Sequence, residues 1–290
     1  MEGVYDKGEQ KNMMKNAISL QEYESHLRQE EKSQATIEKY LRDIHYLYRY
    51  LRKSKELNKE AMISYKDYLI HEYAASSVNS MLTAANGYLE FIGKGESKVK
   101  LLKRQKKTFC EECQELTKKE YERLLETAKL RKNNRMYYIL QTICATGIRI
   151  GELSHFTVQA VKVGKVEVYN KGKYRMILIP KKLRKSLLKY AKRRGIRKGS
   201  IFITRNQNPV NRSNVWAEMK RLCKDANVES GKVFPHNLRH LFARTYYKMR
   251  KDIMKLADLL GHSSVETTRI YILTTGKEHE RQLSSMGLCT

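Results

Sequence analysis

Apolar residues in the first part of the chain recur at the three- and four-residue spacing of amphipathic helices. The clearest stripe consists of Ile37, Leu41, Ile44, Leu47 and Leu51. A capped helix start at Ser19–Glu22 precedes this stripe, and further helices are expected over residues 59–73 and 76–92. Four short helices of this kind predict that residues 17–95 form a small helical bundle.

The pattern changes twice after this bundle. Residues 96–114 keep no apolar stripe and are expected to form a basic linker, while residues 115–290 are expected to form a second domain. Most of that domain has helical spacing, but three stretches alternate or are rich in β-branched residues. These stretches are residues 161–163, 165–169 and 174–179, with one more short strand expected at 201–203. The predicted fold is therefore mainly α with a small antiparallel β-ribbon of three strands, so that the second domain is of the α+β type.

Charge separates the two regions more sharply than hydropathy does. The chain has 290 residues with 58 Lys and Arg against 31 Asp and Glu, a formal net charge of +27. Residues 1–95 hold equal numbers of acidic and basic side chains, so the whole excess lies in residues 96–290. Such an excess is typical of proteins that bind a phosphate backbone, although a solvated basic surface or an acidic lipid surface would also suit it. The linker residues expected to contact DNA are Lys98, Lys100, Lys103, Arg104, Lys106 and Lys107.

Several classes of protein are disfavoured by the same sequence. No apolar run approaches the roughly 20 residues of a membrane span, and the first residues do not resemble a secretory signal, so a cytoplasmic protein without a membrane partner is expected. The five cysteines indicate reduced thiols. Cys110 and Cys113 have CxxC spacing, but no second pair accompanies them, and no zinc site is predicted.

Basic and aromatic residues recur at helix starts and loop ends of the second domain. They are Arg149, Lys171, His236, Arg239, His262 and Tyr271. Each alone is more often structural than catalytic. Gathered by the fold, two guanidiniums can grip one phosphodiester, a lysine can protonate a leaving 5′ oxygen, and a tyrosine hydroxyl can act as nucleophile. The set contains almost no carboxylates, with Glu152 close to Arg149, so neither a metal nor another cofactor is expected.

In this order, the motifs closely resemble those of the tyrosine recombinases, the family of phage integrases that includes the Xer type. The motifs are Ala145–Leu153, Asn170–Arg175, Pro235–His240 and Leu259–Tyr271. The resemblance covers nearly the whole chain. It implies that residues 17–95 are a SAM-like core-binding domain, that residues 115–290 are the catalytic domain, and that residues 276–290 are its C-terminal tail.

The resemblance also implies a role for each residue of the set. Arg149 and Arg239 would grip the phosphate, and Tyr271 would attack it to form a 3′-phosphotyrosyl bond. Lys171 would be the general acid, with Lys173 as its rival.

The remaining residues would support these groups. His236 would assist proton transfer, His262 would hydrogen-bond the phosphate, and Glu152 would hold the arginines in place. Arg175 is expected to be structural or to contact the DNA backbone, and His240 to be a helix-packing residue.

The resemblance implies a site-specific recombinase that acts on double-stranded DNA. It would bind each site as a dimer and form a tetramer in the synapse, with tail exchange between subunits. Integration or excision of a mobile element is the expected setting, with nucleoid association in the cell. The alternatives are Xer-type resolution of chromosome dimers, a nicking enzyme like the type IB topoisomerases, and a catalytically idle DNA-binding module. The polar segment 1–18 is not expected to be an arm-binding domain, which favours simple recombination sites.

Overall fold

A computed structural model describes residues 20–51, 57–103, 115–170, 173–271, 280–281 and 284–286. The chain divides into two compact units, residues 1–106 and 107–290. Within the described ranges, no helix has the length and apolar character that crossing a membrane requires. The expectation of a mainly helical fold with a small antiparallel ribbon is confirmed.

The first unit is a helical bundle. Its helices are α1 over residues 20–29, α2 (Gln34–Leu51), α3 (Lys59–Glu72) and α4 (Ala75–Phe91), followed by a 3₁₀ turn, Gly95–Ser97. The predicted stripe of α2 faces the core, where Ile44 and Leu47 are completely buried. Asn58 caps α3 by accepting a hydrogen bond from the Ala61 N–H at 2.9 Å. The bundle is thus assembled by the apolar stripe that predicted it.

The beginning of the predicted linker lies against α4. The Asn86 side chain accepts from the Val99 N–H at 3.0 Å and donates to the Val99 carbonyl at 2.8 Å. Asn79 bonds the backbone of Leu102 in the same two ways, and Lys98 pairs with Glu90. Residues 98–102 are therefore attached to the first unit along their backbone. Lys100 and Lys103 are exposed, while Arg104, Lys106, Lys107, Cys110 and Cys113 lie outside the described residues.

The second unit is also mostly helical and has its own core. Its helices are α5 (Lys118–Leu130), α6 (Asn134–Thr146), α7 (Val158–Val163), α8 (Lys181–Arg193), α9 (Arg212–Asp225), α10 (Pro235–Arg250), α11 (Ile253–Leu260) and α12 (Val265–Arg269). Two 3₁₀ helices, Ile150–His155 and Ser230–Lys232, lie between them. The predicted capping box opens α5, because Thr117 and Glu120 each bond the other's backbone N–H.

The prediction of three ribbon strands is wrong in this unit. The ribbon has two antiparallel strands, β1 (Lys165–Asn170) and β2 (Lys173–Leu178). Residues 161–163 belong to α7, which Thr157 caps and which the left-handed residue Gly164 ends. Val158 and Val161 bury the same face of that turn, so a helical spacing of three was mistaken for a strand. Residues 201–203 contribute only an isolated bridge, between Ile203 and Pro209.

Candidate active site

Three consecutive carbonyls at the end of α11 each lie against a different arginine. The pairs are Leu259 O with Arg175 Nη2 at 2.6 Å, Leu260 O with Arg239 Nη2 at 2.7 Å, and Gly261 O with Arg149 Nη2 at 3.5 Å. The last carbonyls of an α-helix lack partners within the helix and carry partial negative charge, so guanidiniums are favoured there. Leu259–Gly261, which we call the arginine-binding segment, therefore gathers three cations from three other elements.

A second helix end holds the most buried of these arginines. Arg239, on α10, is 1% exposed, and its Nη1 donates to the Gly147 carbonyl at 2.6 Å, just beyond α6. Gly147 has a φ of 63°, and a Cβ there would lie 2.6 Å from Cε1 of Phe242. Glycine is required at this position both by the left-handed backbone and by the close approach of α10.

One buried carboxylate joins two of the three arginines. Glu152 is 2% exposed, and its Oε2 accepts from the Arg149 backbone N–H at 2.8 Å and from Arg175 Nη1 at 3.0 Å. Its Oε1 accepts from Arg149 Nη1 at 3.2 Å. Among these described residues, three guanidiniums stand beside one carboxylate that bonds two of them, so the cluster has an excess of positive charge that a phosphate can neutralise.

The charge of this cluster is visible in the acid–base properties of its members. Burial lowers the pKa of Arg175 to about 10; the neighbouring Glu152 opposes this change, and repulsion from Arg239 and Arg149 adds to it. Burial likewise lowers the pKa of Arg239, while the interaction with the Tyr271 hydroxyl opposes the shift. Both guanidiniums remain charged near neutral pH.

His262 follows directly after the arginine-binding segment, and its hydrogen bonds fix its protonation state. Its Nε2 lies 2.9 Å from Arg239 Nη2, and its Nδ1 lies 2.8 Å from Oγ1 of Thr268. A guanidinium only donates, so Nε2 must accept and the proton of a neutral ring is assigned to Nδ1. Burial, with repulsion from Arg239 and the other arginines, lowers the pKa of His262 to about 4, which agrees with a neutral ring.

The Tyr271 ring is enclosed by three imidazoles. Its centroid lies 4.3 Å from that of His240, 5.5 Å from that of His262 and 5.7 Å from that of His236. Tyr271 is only 2% exposed and packs on Leu256 and other apolar residues of α10 and α11. Enclosure of this kind places neutral proton acceptors around a phenol in a partly apolar pocket.

The two histidines on α10 differ in their surroundings. His236 lies at the surface of the site, and its partial desolvation together with the charges of Arg239 and Arg149 lowers its pKa. His240 lies one turn further along the helix, and burial lowers its pKa to about 4. Both rings are uncharged near neutral pH and can take up a proton.

Six of the residues singled out in the sequence come together here: Arg149, Glu152, His236, Arg239, His262 and Tyr271. Lys171 lies outside the described residues, and the structure therefore gives no position for it. Arg175, for which the sequence left open a structural role or a contact with the DNA backbone, has a side chain only 9% exposed and is engaged within the protein. Thr268 is a site residue that sequence reasoning missed, because nothing in Thr267-Thr268 shows which hydroxyl faces His262.

The neutral histidines predict that the second unit loses stability in acid. His240 and His262 take up a proton only near pH 4 in the folded protein, whereas an unfolded histidine does so near pH 6.5. The unfolded state therefore binds more protons between these values, and the free energy of unfolding falls as the pH drops through this window. Denaturant midpoints at pH 7 and pH 5, followed by fluorescence of the single tryptophan Trp216, should show this loss. The His240→Gln variant should lose less than wild type, and an identical loss would contradict the assignment.

Comparison with known proteins points to one family. The phage integrase family matches residues 114–278. Tyrosine recombinase XerA of Thermococcus kodakarensis is 30% identical over 272 residues, covering 91% of this chain and 93% of the relative. A lambda integrase dimer bound to a COC′ core site has a similar fold, with a TM-score of 0.70 at 19% identity, covering 93% of this chain and 81% of that chain. A lambda integrase tetramer bound to a Holliday junction has the same TM-score at 20% identity and covers 88% of this chain and 76% of that chain.

Proposed function

This chain belongs to the phage integrase family, the tyrosine recombinases, and we propose that it is a site-specific DNA recombinase whose nucleophile is Tyr271. The observation that carries the proposal is that Arg149 and Arg239 converge on the end of α11, and that Arg239 and the neutral histidines contact the enclosed Tyr271. The cations of this cluster match the charge of a phosphodiester.

The proposed reaction is a transesterification. The Tyr271 oxygen attacks the scissile phosphorus, the new bond joins that phosphorus to the tyrosine, and the bond to the 5′ oxygen breaks. His236 takes the phenol proton, and Lys171 gives a proton to the departing 5′ oxygen. The product is a 3′-phosphotyrosyl link with a free 5′ hydroxyl, and attack by the 5′ hydroxyl of another strand reverses the step. No bond energy is lost, so no ATP is required.

The two arginines contribute charge to the transition state. Arg149 has a side chain 41% exposed, so a phosphate can reach it from solvent, whereas Arg239 is buried and bonded to Leu260, Gly147 and His262. A phosphate that enters beside Arg239 would replace the contact with His262, whose Nε2 could then bond the phosphate once it carries a proton. Tyr271 is buried, so the pocket around it would also open in this step for the phosphate to reach the hydroxyl.

Double-stranded DNA is the proposed partner, in line with the positive charge of residues 96–290 and with the lambda integrase complexes. By analogy with those complexes, we expect a dimer on each site and a tetramer in the synapse. Exchange of the tail 276–290 between subunits and association with nucleoid DNA rest on the family resemblance.

Two biological settings fit this chemistry. Integration or excision of a mobile element is our first proposal, and resolution of chromosome dimers is the second, favoured by the similarity to XerA along most of both chains. Sequencing the DNA trapped covalently on the protein in its host separates them. Element boundaries at many loci support the first setting, and a single chromosomal site supports the second.

The role of Lys171 is tested by the leaving group. Lys171→Ala should be severely slow on ordinary DNA, because the 5′ oxygen would have to depart as an alkoxide. A 5′-bridging sulfur at the scissile position leaves without a proton, so this substrate should largely rescue Lys171→Ala in single-turnover cleavage. Lys173→Ala is the matched control and should behave as wild type on both substrates. Rescue of Lys173→Ala alone would move the acid two residues along, and rescue of neither would refute a lysine donor on this turn.

A further inference from the structure

Arg175 forms hydrogen bonds with two different groups of the candidate site. It lies on β2 opposite Val168, on the face of the ribbon that turns toward the core. Its Nη1 bonds both oxygens of Glu152, at 3.1 and 3.0 Å, and its Nη2 donates to the Leu259 carbonyl at 2.6 Å. One planar side chain thus ties the ribbon to a buried carboxylate and to the end of α11.

The aliphatic stem of Arg175 is also in contact with the arginine-binding segment. A Cβ at Gly261 would overlap Cδ of Arg175 and lie 3.0 Å from its Nε. Gly261 is therefore free of a side chain where Arg175 crosses it, and its φ of 63° independently favours glycine. The position of Gly261 matters because its carbonyl faces Arg149 and the next residue is His262.

One partner of Arg175, Glu152, also holds Arg149, and the other, Leu259, lies two residues before Gly261, whose carbonyl faces Arg149. Glu152 accepts from both the backbone and the side chain of Arg149, and Arg175 fixes that carboxylate from its other side. Without the guanidinium of Arg175, the buried Glu152 carboxylate would keep one cationic partner, Arg149. The Leu259 carbonyl at the end of α11 would lose its donor. Displacement of either group is transmitted directly to Arg149.

We propose that Arg175 is a positioning residue of the recombinase site: it sets Glu152 and the Leu259–Gly261 segment, and through them places Arg149 on the scissile phosphate. The inference rests on the proposed function, since the phosphate is its object. Arg175 does not itself touch DNA in this proposal, so of the two roles expected from the sequence the structural one is proposed and the contact with the DNA backbone is not.

The chain offers a closely matched control in Arg135. This arginine lies at the start of α6, about 18 Å along the helix from Gly147 at 1.5 Å per residue. It also combines a carboxylate, Glu218 at 3.0 Å, with a backbone carbonyl, that of Ile203 at 2.9 Å. In both arginines, Nε is buried and lacks a hydrogen-bond partner among the described residues. Arg175→Lys and Arg135→Lys therefore each remove a guanidinium that bonds both a carboxylate and a backbone carbonyl. One of these guanidiniums lies inside the site and the other lies outside it.

The experiment measures DNA affinity and single-turnover cleavage on three substrates: ordinary DNA, DNA with a methylphosphonate at the scissile position, and DNA with a 5′-bridging sulfur. Arg175→Lys should bind like wild type but cleave ordinary DNA about 100-fold more slowly, the size of effect expected for a displaced catalytic group. The penalty should shrink on the uncharged methylphosphonate, which needs less from Arg149, and should persist on the sulfur substrate. Arg135→Lys should cleave all three substrates like wild type.

Three outcomes would overturn the proposal. Weaker binding with unchanged cleavage would make Arg175 a DNA contact. An equal penalty on every substrate would make it purely structural, and wild-type behaviour would show that it has no role.

Backbone NMR of the DNA-free variants gives a second decision that is independent of cleavage: Arg175→Lys, but not Arg135→Lys, should shift the amide signals of Arg149 and Gly261. Unshifted signals would overturn the positioning role. If wild type forms no adduct, the proposed function fails, and the NMR result still decides whether Arg175 positions Arg149.

Discussion

Replacing Tyr271 by Phe is expected to abolish covalent attachment to DNA while leaving DNA affinity nearly unchanged. The phenol oxygen is the atom that forms the proposed bond, whereas the ring alone supplies the packing against three imidazoles and Leu256. The variant keeps that ring, so the fold should survive the loss of the hydroxyl. The measurement is the yield of protein–DNA adduct on a nicked suicide substrate, beside the affinity for the intact site.

A tyrosine from the same cluster provides the control. Tyr247 is partly buried against the cluster that contains Tyr271, and Lys251 lies over its ring at 5.5 Å. Tyr247→Phe removes a hydroxyl close by and should give the wild-type yield of adduct. An adduct formed by Tyr271→Phe would assign the nucleophile to another residue.

The second large effect is expected at the arginines of the site. Arg149→Ala and Arg239→Ala should each slow cleavage by about 10²–10³, the usual consequence of losing one preorganised donor to developing charge, or about 2.7–4 kcal/mol. Single-turnover rates at saturating DNA measure this effect without a contribution from binding. The penalty should persist on the 5′-thio substrate, because a better leaving group does not replace phosphate stabilisation.

The two arginine variants should differ in stability. Arg239→Ala leaves the carbonyls of Gly147 and Leu260 without their donor in a buried setting, at about 1–3 kcal/mol for each unsatisfied group. Arg149 is more exposed, so Arg149→Ala isolates the catalytic effect more cleanly. Wild-type cleavage by a folded Arg149→Ala protein would remove Arg149 from the mechanism.

The helices and most of the candidate site residues could be proposed from the sequence because each rests on local information. The stripe from Ile37 to Leu51 is a periodic pattern, and the motif around Tyr271 is contiguous in the chain. The third ribbon strand was predicted wrongly because Val161-Lys162-Val163 fits alternation as well as it fits one turn of helix. The Thr157 side chain accepts from the Ala160 N–H at 3.1 Å and so opens a helical turn, which decides that ambiguity.

The sequence does not decide between a structural role and a DNA contact for Arg175, for a different reason. A basic residue on a strand near a lysine-rich turn looks like a DNA contact, since its sequence neighbours say nothing of Glu152, 23 positions away, or of Leu259, 84 positions away. The carbonyls that gather the three guanidiniums have no sequence signal at all beyond the glycine that ends α11. Backbone acceptors at a helix end become visible only in three dimensions.

The central claim is that Tyr271 joins DNA through a 3′ phosphate, and identification of the linked residue and the strand polarity tests it most directly. The adduct from a suicide substrate is digested with trypsin and nuclease, and the peptide that carries a nucleotide is sequenced by mass spectrometry. The account predicts the peptide Ile270–Lys277, which contains a single tyrosine, linked to the 3′ end of the broken strand, with a 5′ hydroxyl that polynucleotide kinase can label. A nucleotide on any other peptide, or a link to the 5′ end, would contradict it.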